Sequence, residues 1–237
     1  MEYLARINPK YFAAMYQCAA KNDVRYYLNA VNIERHPDGG VVIAATNGHF
    51  LGVIHDPEGW MHEDHNSLLV GIPSKRLISA CTTRRGPDTF EPNKLWIAEK
   101  FSVVTGCVEA TDPPEPFGIG AHLTEKTELV DGKFPDWRKV LPTEREKLET
   151  QFPWINGEYI EAFNKIATIL TGRKAFAGGG LHLEARDDCR SVVVRLANYE
   201  LKDRFVGVIM PMKGDPLETI VPAFAMPKPG SDVDQAA

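Results

Sequence analysis

The sequence has no apolar run approaching the roughly 20 residues that a membrane helix needs, and its opening residues, MEYLARINPKYF, lack the layout of a secretory signal. A soluble, cytoplasmic protein with no membrane partner is the expectation. Its four cysteines (Cys18, Cys81, Cys107, Cys189) stand far apart and form no CxxC pair. That spacing favours reduced, mostly buried thiols over a disulfide framework or a zinc site. Signatures of catalysis are missing too: no GxGxxG, no P-loop lysine, no GxSxG, no HExxH and no paired carboxylates. Gly178–Gly180 precedes a strand-like run rather than a helix and reads as a turn. His55, His62 and His65 lie among Asp56, Glu58, Glu63 and Asp64. A metal-dependent hydrolase would have to be built on this segment, yet no second cluster completes the about four ligands of a structural site. The segment reads better as a hairpin loop with solvated side chains. The expectation is therefore no enzyme, no catalytic residue, no metal and no cofactor.

What is present is ordinary globular material. The chain has 237 residues, 43% hydrophobic and 25% charged, with a net charge of −5, enough to bury a core in one large or two small domains. Short strand-like runs dominate. A run at Leu4–Ile7 leads into Asn8-Pro9, a cap followed by proline at the first helical position, and Phe12, Met15, Tyr16 and Ala19 then recur at helical spacing to Ala20. Strands follow at Tyr26–Glu34, Val41–Ala45 and Phe50–His55. A second unit begins with a strand at Ser67–Ile72 and a helix from Ser74 to Arg85, then strands at Lys94–Ala98 and Phe101–Val108. A third starts with a strand at Phe152–Ile155 and a helix at Glu158–Thr171. Its strands are Leu181–Ala185, Ser191–Ala197 and Arg204–Met210. A pattern of strand, helix and strands thus occurs three times without sequence identity, pointing to an α+β fold of antiparallel sheets with one helix per unit. The proline-rich tail at 214–237 reads as partly disordered.

Charge is unevenly distributed. Between Asn66 and Pro87 there is no acidic residue, while Lys75, Arg76, Arg84 and Arg85 all fall there. Lys10, Lys21 and Arg25 lie on or just past the first helix, and Lys165, Arg173 and Lys174 on or past the third. Lysine and arginine are good helix formers and ordinarily sit on solvated faces. In an acidic chain, though, the same division would also suit a helical face laid against phosphates.

Three segments carry a resemblance to a known family. Asp23-Val-Arg-Tyr-Tyr-Leu-Asn29 followed by Ala45-Thr-Asn-Gly-His49 is one, Val130-Asp-Gly-Lys-Phe-Pro-Asp-Trp-Arg-Lys-Val-Leu-Pro142 the second, and Val208-Ile-Met-Pro-Met-Lys213 the third. Taken in order, they resemble the bacterial DNA polymerase III beta subunit, the sliding clamp, across most of residues 1–213. The resemblance implies a clamp fold of helix-plus-sheet halves, with helices lining a homo-oligomeric ring around duplex DNA. Residues 1–142 would form one clamp domain similar to the family's middle domain, and 143–213 a shortened second one. By the same resemblance Lys10, Lys21, Arg25, Lys75, Arg76, Arg84, Arg85, Lys165, Arg173 and Lys174 would face DNA through sequence-independent phosphate contacts. The partner-peptide pocket, serving a polymerase and a clamp loader, would comprise Leu28, Thr46, Gly48, His49, Phe50, Leu51, Pro142, Val208, Ile209, Met210, Pro211 and Met212. Phe50 and Asn47 depart from the family, which commonly has a basic residue and an aspartate there. A chain of one and a half domains would need four copies to supply twelve halves; two compact domains would need three. A phage or mobile element would suit such a shortened form, and so would a monomeric adaptor or decoy that keeps only the groove.

Overall fold

The computed structural model describes residues 2–84, 90–106, 112–142, 152–172, 180–185 and 191–215. Twelve strands and three α-helices are described: β1 (Tyr3–Ile7), α1 (Pro9–Met15), β2 (Ala30–Arg35), β3 (Val41–Thr46), β4 (Phe50–Asp56), β5 (Trp60–Met61), β6 (Ser67–Gly71), α2 (Lys75–Ala80), β7 (Lys94–Ala98), β8 (Phe101–Thr105), β9 (Ala121–Lys126), α3 (Gly157–Thr171), β10 (Leu181–Ala185), β11 (Val192–Leu196) and β12 (Phe205–Ile209). They form a five-stranded sheet in the order β5-β1-β7-β8-β9 and a seven-stranded sheet in the order β10-β11-β12-β4-β3-β2-β6.

The helix starts follow from side-chain caps. Asn8 Oδ1 accepts from Lys10 N at 3.0 Å, and Asn156 Oδ1 accepts from Glu158 N at 2.9 Å, each satisfying a backbone donor that the helix cannot. Ser74 does the same for Leu77 N. α3 ends at Gly172, whose left-handed φ of 64° suits a residue without Cβ.

The main buried cluster draws on all three helices and both sheets. Phe12, Ala13 and Met15 of α1, Leu77 of α2, and Phe163 and Ile166 of α3 meet the inward residues of both sheets, among them Val31, Ile43, Ile54, Leu95, Ile97, Val104, Val194 and Phe205. The period-2 alternation of the strands decides which residues these are. Because all three helices bury their apolar stripes in this core, they lie on the same side of the sheets. The third unit shares it: β12 pairs antiparallel with β4, Val208 opposite Leu51, and α3 packs on α1.

Several sequence expectations need correction. The second helix stops at Ala80 rather than Arg85, because Thr82 and Thr83 are poor helix formers and Arg84 forms a bridge with Phe90. Tyr26–Leu28 is a 3-10 turn rather than strand; the Asn29 side chain closes that loop by accepting from Asp23 N and donating to Asp23 O. The expected strand at Phe152–Ile155 is a single bridge, Trp154 to Met212. β5 and β9 have no counterpart among the expected strands. Arg85, Arg173, Lys174, Cys107, Cys189, the connector 143–151 and the tail from 216 onward lie outside the described residues.

Candidate functional site

The seven-stranded sheet has two unlike faces. Phe50, Ile54, Phe205 and Ile209 point to the helices. On the opposite face Val42, Ala44, Leu51, Val53 and Val208 make a second apolar cluster, partly covered by Phe134, Trp137 and Leu141. The cover is held by Arg138, which stacks on Trp137 at 4.1 Å and pairs with Glu34 at 2.6 Å. Trp137 Nε1 is buried without a hydrogen-bond partner among the described residues. Beyond β12 the surface stays apolar but open: Met210 is 45% exposed, Met212 52%, and Trp154, bridged to Met212, 48%. Trp154 Nε1 donates to Asp215 O at 3.0 Å.

Of the pocket residues suggested by sequence, the fold brings Leu51 and Val208 together on this outer face, with Pro142 directly following Leu141 of the cover. Met210, Pro211 and Met212 continue from β12. Thr46, Gly48 and His49 form the hairpin turn between β3 and β4: Thr46 Oγ1 donates to Phe50 O and accepts from Gly48 N. Gly48 adopts φ +88°, with Arg25 across it. Met210 N donates to His49 O at 2.8 Å, so turn and strand end are one structure. Phe50 and Ile209 belong elsewhere. Phe50 packs on Tyr159 and Phe163 of α3, and Ile209 lies in the main core. Leu28 is buried. Sequence position alone could not separate these from Leu51 and Val208; strand parity does. Phe134, Trp137, Leu141 and Trp154 were missed as lining candidates, although Phe134, Trp137 and Leu141 sit inside the thirteen-residue segment that carries the resemblance.

The basic residues are distributed more loosely. Lys21, Lys75, Arg76, Arg84 and Lys165 are exposed. Lys10 pairs with Glu91, Arg25 with Asp23 at 2.8 Å, Arg76 with Glu125 at 3.9 Å and Lys165 with Glu161 at 2.8 Å. Such surface pairs are weak. Hydrogen bonds from Arg25 hold the Asp23 carboxyl down to about 2. Lys21 and Lys165 line one hollow with His49 and Tyr159, where Asp23, Glu158 and Glu161 also lie, between the segment that follows α1 and the start of α3. Burial, helped by nearby Arg84, lowers the pKa of His122, which stacks on Phe90.

No group of three or more His, Cys, Asp or Glu able to hold a metal occurs among the described residues. His62 instead pairs with Glu2 at 3.0 Å, and His36 stacks on His55. Cys18 and Cys81 are buried free thiols whose pKa burial pushes up. No helix among the described residues is long and apolar enough to cross a membrane.

No family model matches the chain. Among curated proteins it is 30% identical over 131 residues to the Beta sliding clamp of Escherichia coli K12, covering 54% of this chain and 30% of that one. It is 32% identical over 134 residues to the Pseudomonas aeruginosa Beta sliding clamp, with the same coverage. The match thus spans less than a third of the length of either relative. Solved structures align over far more of it. DNA polymerase III subunit beta from Borrelia burgdorferi superposes with a TM-score of 0.57 at 13% identity over 90% of this chain and 64% of that one. The Pseudomonas aeruginosa subunit gives 0.55 at 19% over 89% and 66%. The fold extends well past the stretch in which sequence likeness is detectable.

Proposed function

From the premise that the chain belongs to the sliding-clamp family, we propose that it is a processivity clamp, holding duplex DNA on its helical side and a polymerase or loader peptide on its outer sheet face. It carries out no chemistry of its own. The observation that supports this reading is the two-faced seven-stranded sheet. The same strands that present Phe50 and Ile209 to the helices present Leu51 and Val208 to an apolar strip beside Met210 and Met212. Two unbranched, adaptable methionines at the open end suit several extended peptides with hydrophobic anchors. Contacts on the helical side would be to phosphates and hence independent of base sequence. Homo-oligomerisation into a ring is part of the proposal, as is the division into a domain at 1–142 and a shortened one at 143–213.

The test is a fluorescence titration with a hydrophobic clamp-binding peptide from a bacterial polymerase. Met210→Ala with Met212→Ala should weaken binding by about tenfold or more, as expected for losing two anchors. Unchanged affinity would remove the groove assignment.

A further inference from the structure

The described chain ends at the open end of the groove. Strand parity carries the outer face past β12: Val208 shares it with Leu51, and Met210 and Met212 follow at two-residue steps. Trp154 joins them through its bridge to Met212, and Phe152, two residues earlier, is exposed as well. Beyond Met212 the backbone is fastened to Trp154. Met212 N donates to Trp154 O at 2.8 Å, and Trp154 Nε1 donates to Asp215 O at 3.0 Å. Between them Gly214 lies so close to the indole that a Cβ there would stand 2.6 Å from Nε1. The residues after Asp215 thus start beside an exposed apolar strip.

By sequence those residues suit the strip. Residues 217–226 read Leu-Glu-Thr-Ile-Val-Pro-Ala-Phe-Ala-Met, with Glu218 the one charge. Pro222 and Pro227 disfavour a helix and bias the residues before them, Val221 and Met226, to extended backbone. In an extended chain Ile220, Phe224 and Met226 share one face. Asp215-Pro216 is a turn-initiating pair. Reversal there sets Ile220 level with Met210, each five residues from Asp215, and Pro222 level with Val208. Both edges of β12 are already taken, by β4 and β11, so a returning segment lies over the face rather than beside the strand.

We propose that the groove's resident occupant is this chain's own segment 217–226, docked in cis with Ile220 and Phe224 as anchors, and that a partner peptide binds by displacing it. This rests on the groove of the proposed function and adds a control on it. A segment on so short a tether acts at an effective concentration of about 1 mM. If its own Kd is about 100 µM, it weakens an added peptide's apparent affinity about tenfold.

The test compares the full chain with its double variant Ile220→Ser, Phe224→Ser, using methyl NMR of 13C-labelled methionine and the peptide titration above. The Met210 and Met212 methyl signals should move in the variant, at every protein concentration, while those of buried Met15 and Met61 stay. The variant should also bind the polymerase peptide about tenfold more tightly. Unmoved Met210 and Met212 signals, or measurable but equal affinities, would overturn the proposal. A difference that appears only as concentration rises would mean that a second copy's segment fills the groove, and would overturn docking in cis. Moved signals with no peptide binding by either protein would support the self-contact and count against the polymerase groove alone.

Discussion

Gly207 lies in the middle of β12, where glycine is ordinarily a weakness: alanine in its place should stabilise a strand by about 0.5–1 kcal/mol. The structure reverses that sign. A Cβ at Gly207 would stand 2.6 Å from Phe163 Cζ and closer still to the neighbouring ring carbon. Comfortable carbon contacts begin near about 3.5 Å, so the ring would have to retreat by about 1 Å. It has nowhere to go. Phe163 is fully buried, with Phe50 at 5.9 Å and Phe205 at 6.3 Å between ring centroids. Gly207→Ala should therefore destabilise by about 1–3 kcal/mol through overpacking. Phe163→Leu should cost about 1–2 kcal/mol by itself, within the range for cutting down a buried side chain. The double variant should lose less than the sum, with a coupling of about 1 kcal/mol or more. Urea unfolding of the four proteins gives each value. Additive costs, or a Gly207→Ala variant as stable as the parent, would refute the view that the Phe163 ring fills the space over Gly207.

Lys21→Glu with Lys75→Glu should lower the dependence of DNA affinity on salt, the slope falling by about 0.9 for each phosphate no longer neutralised, while peptide affinity stays unchanged; an unaltered slope would move DNA elsewhere on the surface. Asp23 should titrate near 2 by NMR because Arg25 donates to its carboxylate. With the folded value below the ordinary of about 3.9, its stabilising share is present above about pH 4 and lost as pH falls through about 2. Arg25→Gln should raise the midpoint toward the ordinary value, and an unmoved midpoint would contradict the assigned cause. Asp56 shows the opposite shift: burial raises its pKa although it accepts from Asn8 N at 2.7 Å. Its ionised form thus costs stability as pH rises past about 4, and Asp56→Asn should flatten that part of the stability profile.

Much of the fold was legible because local rules and global packing agree. Asn8-Pro9 marks a helix start without reference to anything distant, and the expected limits of β7 and β10 match those observed. What escaped depended on neighbours. The sequence Ala-His-Leu-Thr-Glu-Lys at 121–126 is too polar to announce a strand, and becomes β9 because β8 offers it an edge. The second helix reads long because Thr82 and Thr83 are tolerable on periodicity alone, yet the Arg84–Phe90 bridge takes the chain away. In the candidate groove, Phe50 and Leu51 are adjacent in sequence and opposite in the fold. A segment-level resemblance names both; only the pleat assigns one to α3 and the other to the outer face.

A chain that encloses DNA holds it by topology, which one experiment tests directly. The chain is assembled in the presence of nicked circular duplex, separated from free protein at moderate salt, and the DNA is then cut once with a restriction enzyme. A ring that holds DNA by enclosure should stay with the circle and leave when it is linearised. Equal retention on circle and line, or none on either, would contradict the clamp.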